Sequence, residues 1–211
     1  MNIRRFSSIY WCFILSLQFL NGANDFESRN TISFQFKLPH SFRLDCEQSL
    51  RLSGQELEFK QTFTELTFSK EIINDLKVFI PIRYAIFDDK VKNRMSLGGI
   101  YKIAVKSFKF KYKTRFQRTH EKSKNPEDLF RNKFYAHYKL SKKFEPFISC
   151  EIFHPANSND NELNEYRLSL GTDFDLPRKK ALKLYYQYKV EDLNKKSADE
   201  THIIGLSFSF N

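Results

Sequence analysis

From Phe108 to Gln117 the chain alternates with period two. Phe108, Phe110, Tyr112, Thr114 and Phe116 share one face, and Lys109, Lys111, Lys113, Arg115 and Gln117 share the other. Helical spacing would scatter these residues around a cylinder, whereas an extended strand separates them cleanly. The pattern returns over 129–140, where Phe130, Phe134, Ala136, Tyr138 and Leu140 oppose Arg131, Lys133, Tyr135, His137 and Lys139. It returns again where Tyr166, Leu168, Leu170, Thr172 and Phe174 oppose Glu165, Arg167, Ser169 and Asp173. Similar runs cover 42–52, 56–67, 75–87, 94–103, 144–154, 181–191 and 201–210. The first two read as a hairpin around Ser53-Gly54, with Leu57, Phe59 and Phe63 on the apolar face and Glu56, Glu58, Lys60, Thr62 and Thr64 opposite. Pro81 removes one ladder donor and predicts irregular pairing in its strand.

Counting from Phe42, these runs predict ten antiparallel strands. Connections near 69–74, 104–106, 141–143 and 176–180 are short, whereas those at 88–93, 120–128, 155–163 and 192–199 are longer and polar. Short turns at one end and long loops at the other are the pattern of a transmembrane β-barrel, and an even strand count puts both chain ends on the short-turn side. Residues 24–41 are a lead-in segment or an extra strand, because Ile32, Phe34, Phe36 and Leu38 also alternate before Pro39 breaks the run. If that segment also spans, and has one further partner, the count becomes twelve. The fold class is therefore all-β, a single antiparallel transmembrane-type barrel of about ten or twelve strands over residues 42–211.

Composition bears on which face is wet. Phe accounts for 23 of 211 residues, against 6 Gly and 6 Pro, which suits long aromatic-rich strands in one domain. The formal net charge of +10 fits a nucleic-acid surface, contact with anionic headgroups or a basic cavity. The start of the chain separates these. Arg4 and Arg5 precede an apolar run from Ile9 to Leu20, and Asn21-Gly22-Ala23 offers a cleavage site, so residues 1–23 read as a secretory signal peptide. A run of about 12 is too short for the roughly 20 residues of a spanning helix. Export argues against nucleic acid as a partner. After residue 23 two cysteines remain, Cys46 and Cys150, on strands far apart in order and expected to be free.

Several of these segments resemble a known family. Tyr112-Lys113-Thr114-Arg115-Phe116, Arg131-Asn132-Lys133, the run from Pro146 to Glu151-Ile152-Phe153, Arg167 and His202-Ile203-Ile204-Gly205 recur in order. From about Phe108 onward the chain resembles the outer-membrane-type β-barrels of Bacteroidota grouped as domain of unknown function 2490. The resemblance implies a signal peptide, an outer-membrane location and an undetermined activity. Membrane lipids and the outer-membrane insertion machinery are the partners such a location implies. The final strand, ending at Phe210, has the alternating, aromatic-terminated form common to such barrels.

If the apolar face meets lipid, the charged face lines the interior, since a charge at the lipid midplane costs about 2–4 kcal/mol. Bases such as Arg51, Arg83 and Arg94 then point inward with acids such as Asp45, Glu47 and Glu145. Lys109, Lys111, Lys113, Arg115, Arg131 and Lys133, with Glu151 and Arg167, form the candidate ligand-binding wall, suited to small anions. The strands 108–119 and 129–140 are both basic, and like charges directly opposite destabilise, so carboxylates from the next strand, ions or a ligand must separate them. The activity that follows is structural or weakly transport-related: a filled barrel, a narrow anion-preferring pore or an anionic-ligand site. An enzyme or lipid-modifying protein acting at the rim is the alternative, with His120, His154 and His202 near the long-loop end, but parity puts all three on the apolar face. No nucleophile motif, metal-ligand spacing or cofactor motif is present, so no catalytic residue, metal or cofactor is expected. A soluble periplasmic barrel binding an apolar ligand would need the two faces reversed.

Overall fold

The computed structural model describes residues 25–156, 163–193, 195 and 197–211. The expected signal segment, 1–23, lies outside the described residues. Eleven strands form one closed barrel: β1 (Phe26–Lys37), β2 (Phe42–Ser53), β3 (Glu58–Ile73), β4 (Leu76–Ile86), β5 (Val91–Val105), β6 (Phe108–Glu121), β7 (Glu127–Tyr138), β8 (Phe144–Pro155), β9 (Glu165–Leu176), β10 (Lys180–Glu191) and β11 (Asp199–Phe210). Each strand has 11 to 16 residues, enough to cross hydrocarbon when tilted. Neighbours in sequence pair antiparallel, and the barrel closes where β1 pairs with β11 in parallel, from Phe26 opposite His202 to Phe34 opposite Phe210.

That closure corrects the expected count of ten or twelve. The extra strand comes from residues 26–37, which the sequence left between lead-in and strand. Its pairing with β11 in place of a twelfth strand makes the number odd. An odd number also places the two ends of the barrel apart: Phe26 lies at the long-loop end, and Phe210 at the end carrying the turns 38–41, 74–75, 106–107, 139–143 and 177–179. The two-residue turns Asn74-Asp75 and Lys106-Ser107 each hold one left-handed residue, Asp75 and Lys106.

Apolar side chains face outward along every strand. Phe34, Leu66, Ile82, Leu97, Tyr112, Phe134, Ile148, Leu170 and Leu206 are among the large exposed hydrophobics. Outward rings pair near the strand ends, as in Phe34 with Phe210, Phe108 with Tyr138, Phe116 with Phe130 and Phe144 with Phe174. Cys46 and Cys150 are free and share this outer face. Inward positions hold the buried polar and charged groups, including Glu27, Arg29, Gln117, Arg131, Glu151 and Lys189.

β3 departs from the alternation expected of it. The pairing shifts register between Arg51 and Leu52 of β2, so Leu52 meets Phe59 and Arg51 meets Gln61. Lys60 is the extra residue of a bulge, and every residue beyond it changes face. Phe63, expected outside, is therefore inside and only 3% exposed, while Thr62 and Thr64 point out. Pro81 acts as its chemistry requires: β4–β5 pairing lapses between Phe79 opposite Gly98 and Ile82 opposite Met95.

Aromatic rings also enter the interior, and three glycines admit them. A Cβ on Gly98 would lie 2.6 Å from Phe79 Cζ, one on Gly171 would lie 2.9 Å from Phe147 Cζ, and one on Gly205 would lie 2.0 Å from Tyr185 Cζ. Rings from neighbouring strands thus lie over bare backbone, a packing known to stabilise β-sheet glycine.

Candidate functional site

Side chains from most strands enclose an internal cavity of about 530 Å³. Among the described residues thirteen cationic side chains and seven carboxylates line it. Near the long-loop end, Glu27 of β1 accepts from Arg29, lies 2.8 Å from Lys60 Nζ and 3.9 Å from the Arg51 guanidinium. Arg29 also donates to Gln187 Oε1 at 3.0 Å, and Gln187 in turn donates to Ser169 Oγ at 2.8 Å. This network ties β1 to β9 and β10 across the seam. Deeper in, Glu151 of β8 lies 2.7 Å from Arg131 and 3.4 Å from Lys133, and Arg131 donates to Gln117 Oε1 at 3.0 Å. Arg83 and Glu65 pair at 2.7 Å.

Like charges do meet directly across β6 and β7, where Lys113 faces Lys133 and Arg115 faces Arg131. Two things separate them. Glu151 supplies a carboxylate from the next strand, and aromatic faces take up several cations. Lys111 lies 3.8 Å from the Tyr135 ring centroid, Lys113 4.5 Å from Phe79, Arg131 4.4 Å from Phe153 and Arg83 3.7 Å from Phe63. A cation over a ring gains about 0.5–2 kcal/mol, more where water is excluded.

Of the expected wall, Lys113, Arg115, Arg131, Lys133, Glu151 and Arg167 line this cavity. Lys109 and Lys111 lie towards the turn end, outside that lining, Lys109 paired with Glu145 and Lys111 on Tyr135. Sequence reading missed Glu27 and Arg29 because it started the first alternating run at Thr31, although Glu27, Arg29 and Thr31 already share a parity. It gave no interior role to Phe147 or Phe153, which share the parity of Glu145 and Glu151. His137 was placed on the charged face but given no partners. Its Nδ1 lies 3.3 Å from Glu145 and 3.6 Å from Asp173, and its ring stacks with Tyr135 and lies tilted beside Phe147.

The three histidines considered for a rim enzyme do not converge. His120, His154 and His202 stand on the outer parity of β6, β8 and β11, and His202 Nδ1 is 2.6 Å from Tyr186 Oη. Among the described residues no cluster of His, Cys, Asp and Glu is arranged to hold a metal ion.

A closed barrel, apolar outside and charged within, has the architecture of porin-like membrane barrels. Residues 28–200 match a family described as Protein of unknown function (DUF2490), and the chain belongs to that family. A search of curated proteins finds no match. Among solved structures, the NanC porin superposes with a TM-score of 0.56 at 11% identity, over 88% of this chain and 99% of that one. A bacterial polysaccharide outer membrane secretin gives 0.55 at 10% identity over 81% of this chain. This chain spans 64% of the secretin chain, under two thirds of its length. At such identities the likeness is one of fold.

Proposed function

We propose that this chain is an outer-membrane barrel, exported through a signal peptide at residues 1–23, whose interior passes or holds small anions. Lipid contacts the apolar outer face, and the outer-membrane insertion machinery folds the chain there. The cavity carries the reading: thirteen cations against seven carboxylates make its interior formally positive, and a low-dielectric wall strengthens that field. A solute entering it is selected by charge before shape, so the role is a narrow anion-preferring pore or an anionic-ligand site, and not catalysis.

The experiment is single-channel recording in a planar bilayer under a potassium chloride gradient. The expected result is small steps with a reversal potential of the sign set by chloride. Cation preference, or no steps in a barrel shown to be folded and inserted, would overturn transport.

A further inference from the structure

Ten of the thirteen cations around the cavity have a carboxylate within ion-pair distance. Among the described residues the other three, Arg94, Lys113 and Arg115, have none, and all three lie on two adjoining strands, Arg94 nearer the long-loop end, opposite Thr119. Lys113 and Arg115 are successive inward residues of β6, and Arg94 comes from β5. Arg115 is 8% exposed and faces the cavity, and its guanidinium makes no hydrogen bond among the described residues. Gly98, its cross-strand neighbour on β5, offers no side chain to answer it. Arg94 donates through Nε to Thr119 Oγ1 at 3.1 Å, and its terminal nitrogens have no partner among the described residues.

Leaving a guanidinium buried without an acceptor costs several kcal/mol unless something supplies oxygens. The fork of Arg presents paired N–H groups that match the two-oxygen edge of a carboxylate or phosphate and have no such match in a spherical halide. A cavity of about 530 Å³ lies within the roughly 300–1,000 Å³ typical of small-molecule sites. We propose that the β5–β6 wall binds the oxyanion group of a small solute, with Arg115 as the fork, Lys113 beside it and Arg94 further along the same wall. This rests on the anion-preferring interior proposed above and gives it an address and a chemistry. The remainder of the basic wall is already occupied: Arg131 and Lys133 by Glu151, Arg167 by Glu165. Glu47 of β2 lines the same cavity with no cation in ion-pair distance among the described residues, so it repels the same solute.

The test is calorimetric titration of the folded barrel in detergent with inorganic phosphate, with gluconate as the carboxylate and with chloride, at constant ionic strength. Saturable binding of phosphate, gluconate or both, absent with chloride, is expected and identifies the oxyanion. R115K keeps the charge, loses the fork and should weaken binding roughly tenfold. E47Q, which removes a repelling charge, should tighten it several-fold. Heat-modifiable gel mobility verifies that each variant is folded. An equal response to chloride, or binding unchanged in both variants, overturns the site. Reversal potentials on the same preparation separate the two levels: anion preference without oxyanion binding removes this site alone, and cation preference removes the reading beneath it as well.

Discussion

Two arcs of the barrel wall carry the same kinds of residue in different company. Across β7, β8 and β9 each inward Arg or Lys has a carboxylate close by: Arg131 and Lys133 share Glu151, and Arg167 pairs with Glu165. Across β5 and β6, Arg94, Lys111, Lys113 and Arg115 have no carboxylate within ion-pair distance among the described residues. The first arc is a structural latch, because its charges are spent on each other. The second, on the reading proposed above, is where an incoming anion would find charge that no carboxylate answers. Composition cannot tell the arcs apart; the residue on the next strand does.

Breaking the latch should have the largest effect. In E151Q, Arg131 and Lys133 lose a buried carboxylate, a loss of about 3–5 kcal/mol for pairs of this kind, read as a lower unfolding temperature by heat-modifiable mobility. A wild-type unfolding temperature would mean that Glu151 is not the latch. Next comes G171A, whose added Cβ would lie 2.5 Å from Leu184 O and 2.6 Å from Tyr185 Cβ. Backbone cannot yield as a side-chain tip can, so about 1–3 kcal/mol should be lost in the same assay. R115Q belongs to the open arc and removes a charge that has no partner. Its stability should be unchanged or higher, within about 1 kcal/mol, and a loss as large as that of E151Q would erase the distinction between the arcs. The smallest effect is expected on the outer face. Thr64 donates to Gln48 Oε1 at 2.6 Å there, and T64V should cost under about 1 kcal/mol in thermal melts.

Much of the barrel was legible because a wall apolar on one side and charged on the other enforces strict alternation. β6, β7 and β9 follow it residue by residue, and Lys113, Arg115 and Arg131 could be assigned inward from parity alone. Parity failed where the backbone changes phase without a marker. The bulge at Lys60 sends Phe63 inside, and neither Gly nor Pro announces it. The odd strand count was not legible either. β1 alternates like its neighbours, but parallel closure onto β11 depends on which edges meet at the end of folding, and no local pattern encodes that. Of the site, the cations and the carboxylates of the next strand, Glu145 and Glu151, were visible in the sequence, and the other partners were not. Glu27 reaching Lys60, and Phe153 lying beneath both Arg131 and Arg167, are contacts between strands set by register.

The most direct measurement of the inverted polarity uses a cysteine already in the chain. Cys150 lies on the outer face of β8, beside Phe134 of β7 and Leu168 of β9. With the barrel reconstituted in liposomes and Cys46 replaced by Ala, Cys150 should react with a lipid-soluble maleimide and stay silent to a charged aqueous thiol reagent until the protein is unfolded. Rapid labelling of Cys150 by the aqueous reagent in the folded, inserted barrel would contradict it.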